Sequence, residues 1–348
     1  MKHFRIALLP GDGIGPDVVR EGVRVLRAVE QRLGGVRFEC NEFSVGAGEF
    51  LRSGDPMPEA TFQAAAGHDA ILLGAMGLPD VRWPSGQEMA PQLDLRERLE
   101  LYCGLRPIRL YHANDAPLRN PGAIDFAIIR ENTEGLFASR KQKFAKDAPE
   151  VVDQMRVTRS GSLRLFHSAF RIARQRRRRV TLVDKANVLP SMAYFRSIFY
   201  EVAREYPDVA ADHVYVDAVT LYLVQRPASF DVLVTENMFG DIISDLAAGL
   251  VGGMGMAPSG DIGDRHAVFQ PSHGSAPDIA GKGIANPTAT ILSVAMMLEW
   301  LPHDECKRGA AMIYSAVERA FADPAHRTRD MGGTMSTAEM GDRILAHL

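Results

Sequence analysis

The sequence predicts an α/β fold with a largely parallel core. Three observations carry that expectation: short β-branched runs recur along the chain, amphipathic stretches with apolar residues at helical spacing lie between many of them, and no repeat or low-complexity segment interrupts the alternation. In chain order the strand-like runs are RIALLP, VRFECNEF, AILLG, DFAIIREN, VTLVDK, HVYVDA, DVLVTE and AVFQPSH. The helical pattern is plainest in PDVVREGVRVLRAVEQRL, SLRLFHSAFRIARQ, NMFGDIISDLAAGL and ATILSVAMMLEWL. The glycine-rich stretch Gly249 to Gly263 is the clearest break and reads as a hinge or a crossing between domains, with a second crossing near LYCGLRP.

Composition narrows the partners. The chain has 348 residues, 46% hydrophobic and 24% charged, enough to bury a substantial core in more than one domain. A formal net charge of -3 provides no field for nucleic acid or an anionic membrane. The basic run RIARQRRRR closes a predicted helix just before a strand, where cations complement the helix dipole and face water. Cys40, Cys103 and Cys306 are widely separated and lack metal-type spacing, so we expect neither a disulfide framework nor a zinc site, and a reducing, cytoplasmic setting. No apolar run has the length of a signal-peptide core or a membrane span, so we expect no targeting segment.

The opening LPGDGIGPD begins as a nucleotide loop would, with a strand broken into a glycine turn ahead of a helix. A dinucleotide fingerprint needs glycines in first, third and sixth place; from Gly11 the third is Gly13, but the sixth is Pro16. The fingerprint fails, and the stretch reads as a tight turn with a proline-started helix. A better cofactor candidate is PSHGSAPDIAGKGIANPTATIL, residues 271 to 292, whose small residues let backbone N–H groups approach a ligand and whose Asp278 is suited to ribose hydroxyls. Loops of this composition also occur as purely structural ones.

Charged residues form two further constellations. Asp241 and Asp245 stand four apart on a helical pattern, so both carboxylates leave one face, an arrangement that destabilises the helix unless a cation lies between them. With Asp217 at the end of HVYVDA they make three oxygen donors suited to a hard divalent cation, Mg²⁺ or Mn²⁺. Arg96, Arg106 and Arg130 suit bidentate carboxylate binding, and Lys185, ending VTLVDK, is placed to act as a base.

Together these motifs resemble the isocitrate and isopropylmalate dehydrogenase family, the metal-dependent β-decarboxylating dehydrogenases. The resemblance runs from LPGDGIGPD through LxxRxxLxLYxxLRP, RENTEG, VDKANVL, YVDA, NMFGDIISDLA and HGSAPDIAGKGIANPTATILS to MGGTMSTAEM, nearly the whole chain. It implies a two-domain fold with parallel and mixed sheets that is not a classical Rossmann fold. The implied first domain combines residues 1–100 and 254–348, and residues 101–253 form a central domain that also makes a homodimer. In this reading the first glycine loop borders the cofactor cleft and the HGSAPDI loop holds most of the cofactor. His273, Gly274, Ser275, Ala276 and Asn286 carry over as contacts, and Asp278 with Ile279 implies NAD, because a carboxylate repels a 2′-phosphate. The resemblance further implies that Lys185 and Asp217 enter each site from the partner, joining Asp241 and Asp245 at the metal, and that Arg96, Arg106 and Arg130 hold the acid.

The chain departs from the family at informative positions. Phe137 stands where relatives usually have a tyrosine acid, and Gln270 where isopropylmalate-type members usually have glutamate near the nicotinamide. In the substrate-selecting segment QEMAPQLDLR, Ala90 and Gln92 replace the serine and asparagine usual for isocitrate, which weakens that substrate. Met89 replaces a glutamate and Gln92 an apolar residue usual for isopropylmalate, while Leu93 matches an apolar pocket. The expected substrate is a 3-substituted malate, with 3-isopropylmalate the first named candidate, tartrate or D-malate and isocitrate or homoisocitrate as alternatives, and a non-catalytic binding subunit the reading of another class.

Overall fold

The computed structural model describes residues 1–348, and in it all of the strand-like runs are strands. The order is β1 (Lys2–Gly11), α1 (Gly15–Leu33), β2 (Val36–Glu42), α2 (Ala47–Ser53), α3 (Glu59–Ala66), β3 (Ala70–Ala75), α4 (Pro91–Arg98), β4 (Cys103–Arg109) and β5 (Asp125–Glu131). The middle continues as α5 (Arg159–Arg174), β6 (Arg179–Asp184), α6 (Pro190–Ala203), β7 (Ala210–Tyr215), α7 (Val216–Gln225), β8 (Val232–Thr235) and α8 (Asn237–Gly249). The chain closes with β9 (Pro258–Ile262), β10 (Ala267–Pro271), α9 (Thr288–Trp300), α10 (Asp304–Phe321) and α11 (Thr337–Ala346).

All ten strands form one sheet in the order β2-β1-β3-β10-β9-β4-β5-β8-β6-β7. The four strands at each end run parallel to one another, as βαβ crossovers require, whereas β9 is antiparallel to both β10 and β4, and β4 to β5. The two stretches read as crossings are therefore the antiparallel seam that joins the parallel halves. Neither β4 nor β9 is in the strand-like series: CGLRPIR and PSGDI carry Gly, Pro, Arg and Asp, which a single-sequence pattern reads as turn. Ladder partners on both sides override that local preference.

Helices cover both faces. Over one half, α1, α9, α10 and α11 bury a core including Phe4, Val25, Leu298 and Phe321. Over the other, Phe166, Phe170, Phe195 and Phe199 of α5 and α6 pack together on one face while Ile243 and Ala247 of α8 pack on the opposite one. No helix is long and apolar enough to cross a membrane.

The basic run faces water, as its sequence suggests, with Arg174, Arg177, Arg178 and Arg179 exposed, and it is also ion-paired. Arg174 pairs with Asp208 at 2.6 Å, Arg176 with Asp125 at 2.6 Å and Asp231 at 3.0 Å, and Arg179 with Asp212 at 2.5 Å, so the arginines tie the ends of β5, β6, β7 and β8 together.

Candidate active site

The three arginines arrive by different routes and meet. Arg106 of β4 and Arg130 of β5 project from one face of an antiparallel pair in which Gly104 stands opposite Arg130, and Arg96 reaches the same place from α4. All three are buried, and all three line a cavity of about 380 Å³ together with Gln92, Leu93 and Phe137. Burial and the neighbouring Arg106 and Arg96 guanidiniums push Arg130 down to about 9, and burial with Arg96 lowers Arg106 as well. A desolvated cationic cluster of this kind is stabilised by an anionic ligand.

Their inner atoms are fixed by the chain. Arg130 donates through Nε and Nη2 to Asn237 Oδ1 at 3.0 and 2.7 Å, Arg106 Nη1 donates to Ser244 Oγ at 2.5 Å, and Arg96 Nε donates to Asp261 Oδ2 at 2.8 Å. Gly240 makes the first arrangement possible, since a Cβ there would meet Arg130 Cγ at 2.7 Å. Buried polar atoms of the cavity wall are left without partners: Gln92 Oε1, Ser259 Oγ, Ser272 Oγ, His273 Nε2 and Arg106 Nε. Such atoms call for a polar ligand.

The acid pair lies directly beside the arginines. Arg130 Nη1 donates to Asp241, and Arg106 sits 3.6 Å from both Asp241 and Asp245, supplying the cation that two like charges on one helix face require. Both carboxylates remain substantially exposed, which suits hard oxygen donors facing a divalent ion. Burial raises the Asp245 carboxyl above its ordinary range, a shift that a bound cation would reverse.

Asp217 and Lys185 do not join them within one chain. Asp217 falls in the first turn of α7 rather than on the strand, and Lys185 Nζ donates to it at 2.7 Å, holding its carboxyl below the usual range. No group of three or more acidic, His or Cys side chains converges as a metal site in the single chain. The expected set of three aspartates is thus split into a pair and a separate residue.

The opening loop turns out to be built against the cofactor-candidate loop. Ile14 N–H donates to Ser275 C=O at 2.8 Å, and a Cβ on Gly13, whose φ is +60°, would lie 1.9 Å from that oxygen. Ser275 Oγ in turn donates to Gly77 C=O at 2.5 Å. The loop continues with His273 and Gly274 in the cavity wall, Ala276 at a positive φ of 38°, Asp278 exposed and Ile279 packed near Ile14 and Val18. Asn286 is buried instead: its Oδ1 accepts from Thr288 N–H at 3.0 Å at the start of α9, and its Nδ2 donates to Asp330 at 3.2 Å, so it supports the loop from beneath. Gln270 also lines the cavity, at the end of β10.

Sequence reasoning passed over two buried acids. The Asp12 carboxylate accepts N–H bonds from Ala47, Gly48 and Gly77, each at 2.8 Å, and so ties the opening loop to α2 and to the end of β3. Asp261 accepts from Arg96, Asn132 and Gln270. For Asp12 a signal was present, an acid between two glycines; for Asp261 the local pattern held none.

The seam thus gathers buried arginines, an acid pair on a helix and a small-residue loop around one cavity, a lining suited to an anionic ligand. A family model described as isocitrate/isopropylmalate dehydrogenase matches residues 5–344. The 3-isopropylmalate dehydrogenase of Corynebacterium efficiens is 44% identical over 349 residues, covering 99% of each chain, and that of Aquifex aeolicus 41% over 362 residues, covering 100% of this chain and 98% of its own. Among solved structures, isocitrate dehydrogenase from Methylococcus capsulatus matches with a TM-score of 0.89 at 38% identity over 99% of both chains. The apo β-decarboxylating dehydrogenase from Thermococcus kodakarensis matches with a TM-score of 0.82 at 39% identity, covering 99% of this chain and 96% of its own. The chain belongs to the isocitrate/isopropylmalate dehydrogenase family and is an enzyme of the decarboxylating dehydrogenase class.

Proposed function

We propose that this chain oxidises and decarboxylates a 3-substituted malate with NAD and Mg²⁺ or Mn²⁺, 3-isopropylmalate being the first candidate in view of the relatives' names. The observation that carries the proposal is the convergence of Arg96, Arg106 and Arg130 on one cavity beside Asp241 and the loop that starts at His273. The residues fit both groups. Asp241 and Asp245 offer exposed oxygen donors to a divalent ion, and the loop from His273 to Ile279 offers backbone groups and the Asp278 carboxylate to NAD. Held by Asp241 and Asp245, a divalent ion would supply Lewis-acid polarisation of the substrate hydroxyl oxygen, and NAD held by the loop would be the hydride acceptor.

The chain's own residues do the rest. Arg96, Arg106 and Arg130 bind the carboxylates and orient the C2–H toward the loop. Gln92 and Leu93 face the 3-substituent from α4. Lys185 of the partner subunit takes the hydroxyl proton, and Asp217 of the partner subunit completes the metal set. The large exposed apolar side chains Val188, Leu221, Val224 and Ile242, on α7, α8 and the turn after Lys185, support a homodimer formed on that face. The two halves of the sheet, residues 1–100 with 254–348 and residues 101–253, would then act as the two domains flanking the cleft. The three cysteines are all free, in keeping with a cytoplasmic setting.

Persistence of Lys185, the aspartates and the arginines favours catalysis over a binding-only subunit. The test is NADH formation with Mn²⁺ across 3-isopropylmalate, D-malate, tartrate, isocitrate and homoisocitrate, with CO₂ measured in parallel. Coupled NADH and CO₂ from one acid is the expected result; absence of NADH with every acid overturns the proposal.

A further inference from the structure

Asp261 is 2% exposed and sits at the centre of the sheet, opposite Val268 of β10 and Gly104 of β4. Its carboxylate accepts from three buried side chains that come from three separate parts of the chain. Oδ2 accepts from Arg96 Nε at 2.8 Å and from Gln270 Nε2 at 2.7 Å, and Oδ1 accepts from Asn132 Nδ2 at 2.7 Å. Arg96 and Gln270 both line the cavity.

We propose that Asp261 is a positioning residue that sets both the cationic face and the acceptor face of the cavity. By taking Arg96 Nε, it leaves both terminal nitrogens of that guanidinium for a ligand carboxylate and offsets one of the three buried positive charges. Its effect on Gln270 follows from the donor inventory of a primary amide. An amide beside a carboxylate turns its NH₂ toward it, so the Gln270 Oε1 becomes the atom free to meet a donor of the substrate or cofactor. The carboxylate at 261 therefore dictates which end of the Gln270 amide the ligand meets. This inference rests on the proposed reading of the arginines as carboxylate binders.

The same geometry makes residue 270 sensitive to charge. A glutamate there would bring a second carboxylate to within hydrogen-bond distance of Asp261 in a buried site, where the two ionise together only at high cost. With serine at 261, a glutamate at 270 would instead return a negative charge to the neighbourhood of Arg96.

The experiment compares Asp261→Ser, Gln270→Glu and the double variant with wild type, using the acid that wild type turns over. Melting temperatures are recorded alongside, and crystals of wild type and Asp261→Ser are grown with D-malate. Asp261→Ser is expected to raise KM for the acid about tenfold or more while kcat changes less, reflecting the loss of a charge-assisted hydrogen bond. Gln270→Glu is expected to be active only toward acid pH, where the carboxyl pair shares a proton. The double variant is expected to reverse most of the rise in KM seen in Asp261→Ser.

Wild-type KM in Asp261→Ser overturns the proposal. So does a double variant no better than Asp261→Ser at equal melting temperature. If wild type turns over none of the acids, the proposed function fails separately, and the crystals decide this point: displaced Arg96 and Gln270 side chains in Asp261→Ser uphold the positioning role, and unchanged ones overturn it.

Discussion

Lys185 Nζ lies 2.7 Å from Asp217, and neither residue lines the cavity in which the arginines, Asp241 and Gln270 meet. The two residues proposed as base and metal ligand are held together but apart from the cavity, an arrangement that a site completed by a second copy would require. Mixing inactive Lys185→Ala with inactive Asp241→Ala is therefore expected to restore activity. In a mixed twofold dimer one of the two sites regains a full set, giving roughly a quarter of wild-type turnover at equal mixing. No activity after verified subunit exchange would refute shared sites.

Arg106 bridges the acid pair and the cavity, donating to Ser244 while facing both aspartates at 3.6 Å. Arg106→Lys keeps the charge but loses the planar fork. We expect kcat/KM for the acid to fall about a hundredfold, with the NAD KM little changed. Steady-state kinetics in both substrates checks this, and an equal loss in both would assign Arg106 a structural role.

Phe137 lines the cavity with its ring 5.2 Å from the Arg130 guanidinium carbon. A phenyl ring has no proton to donate. Phe137→Tyr adds an O–H in the cavity wall, and kcat for coupled NADH and CO₂ formation is expected to rise by about tenfold or more if that proton enters a slow step. An unchanged kcat would place the proton donor elsewhere.

Burial holds the His273 imidazole below its ordinary value. The neutral ring's contribution to stability is therefore present above the ordinary histidine pKa and is lost as the pH falls from that value through the lowered one. Denaturant unfolding followed against pH should show stability falling over that acid range, and His273→Gln should flatten the dependence. An unaltered pH profile in the variant would count against His273.

Asp12 satisfies three backbone donors with one buried carboxylate. Asp12→Ala leaves those N–H groups unpaired and is expected to cost roughly 3 kcal/mol or more, read by denaturant unfolding. A loss below about 1 kcal/mol would mean that water replaces the carboxylate.

Much of this protein was legible locally. Strand-like runs and helical spacing placed the parallel halves, because side-chain period reports which face is buried. Type and spacing singled out Arg96, Arg106, Arg130, Asp241, Asp245 and the small-residue stretch 271–292, while the family resemblance narrowed that stretch to the loop from His273. What the sequence by itself determined was therefore the βα order and the inventory of charged side chains. Tertiary structure alone decided the antiparallel seam, since β4 and β9 owe their extended form to neighbours rather than to their own residues. It also decided the role of Asp261, whose partner Arg96 lies 165 residues away. Pairings of that separation leave no mark on local periodicity; they exist only once the sheet has brought distant strands side by side.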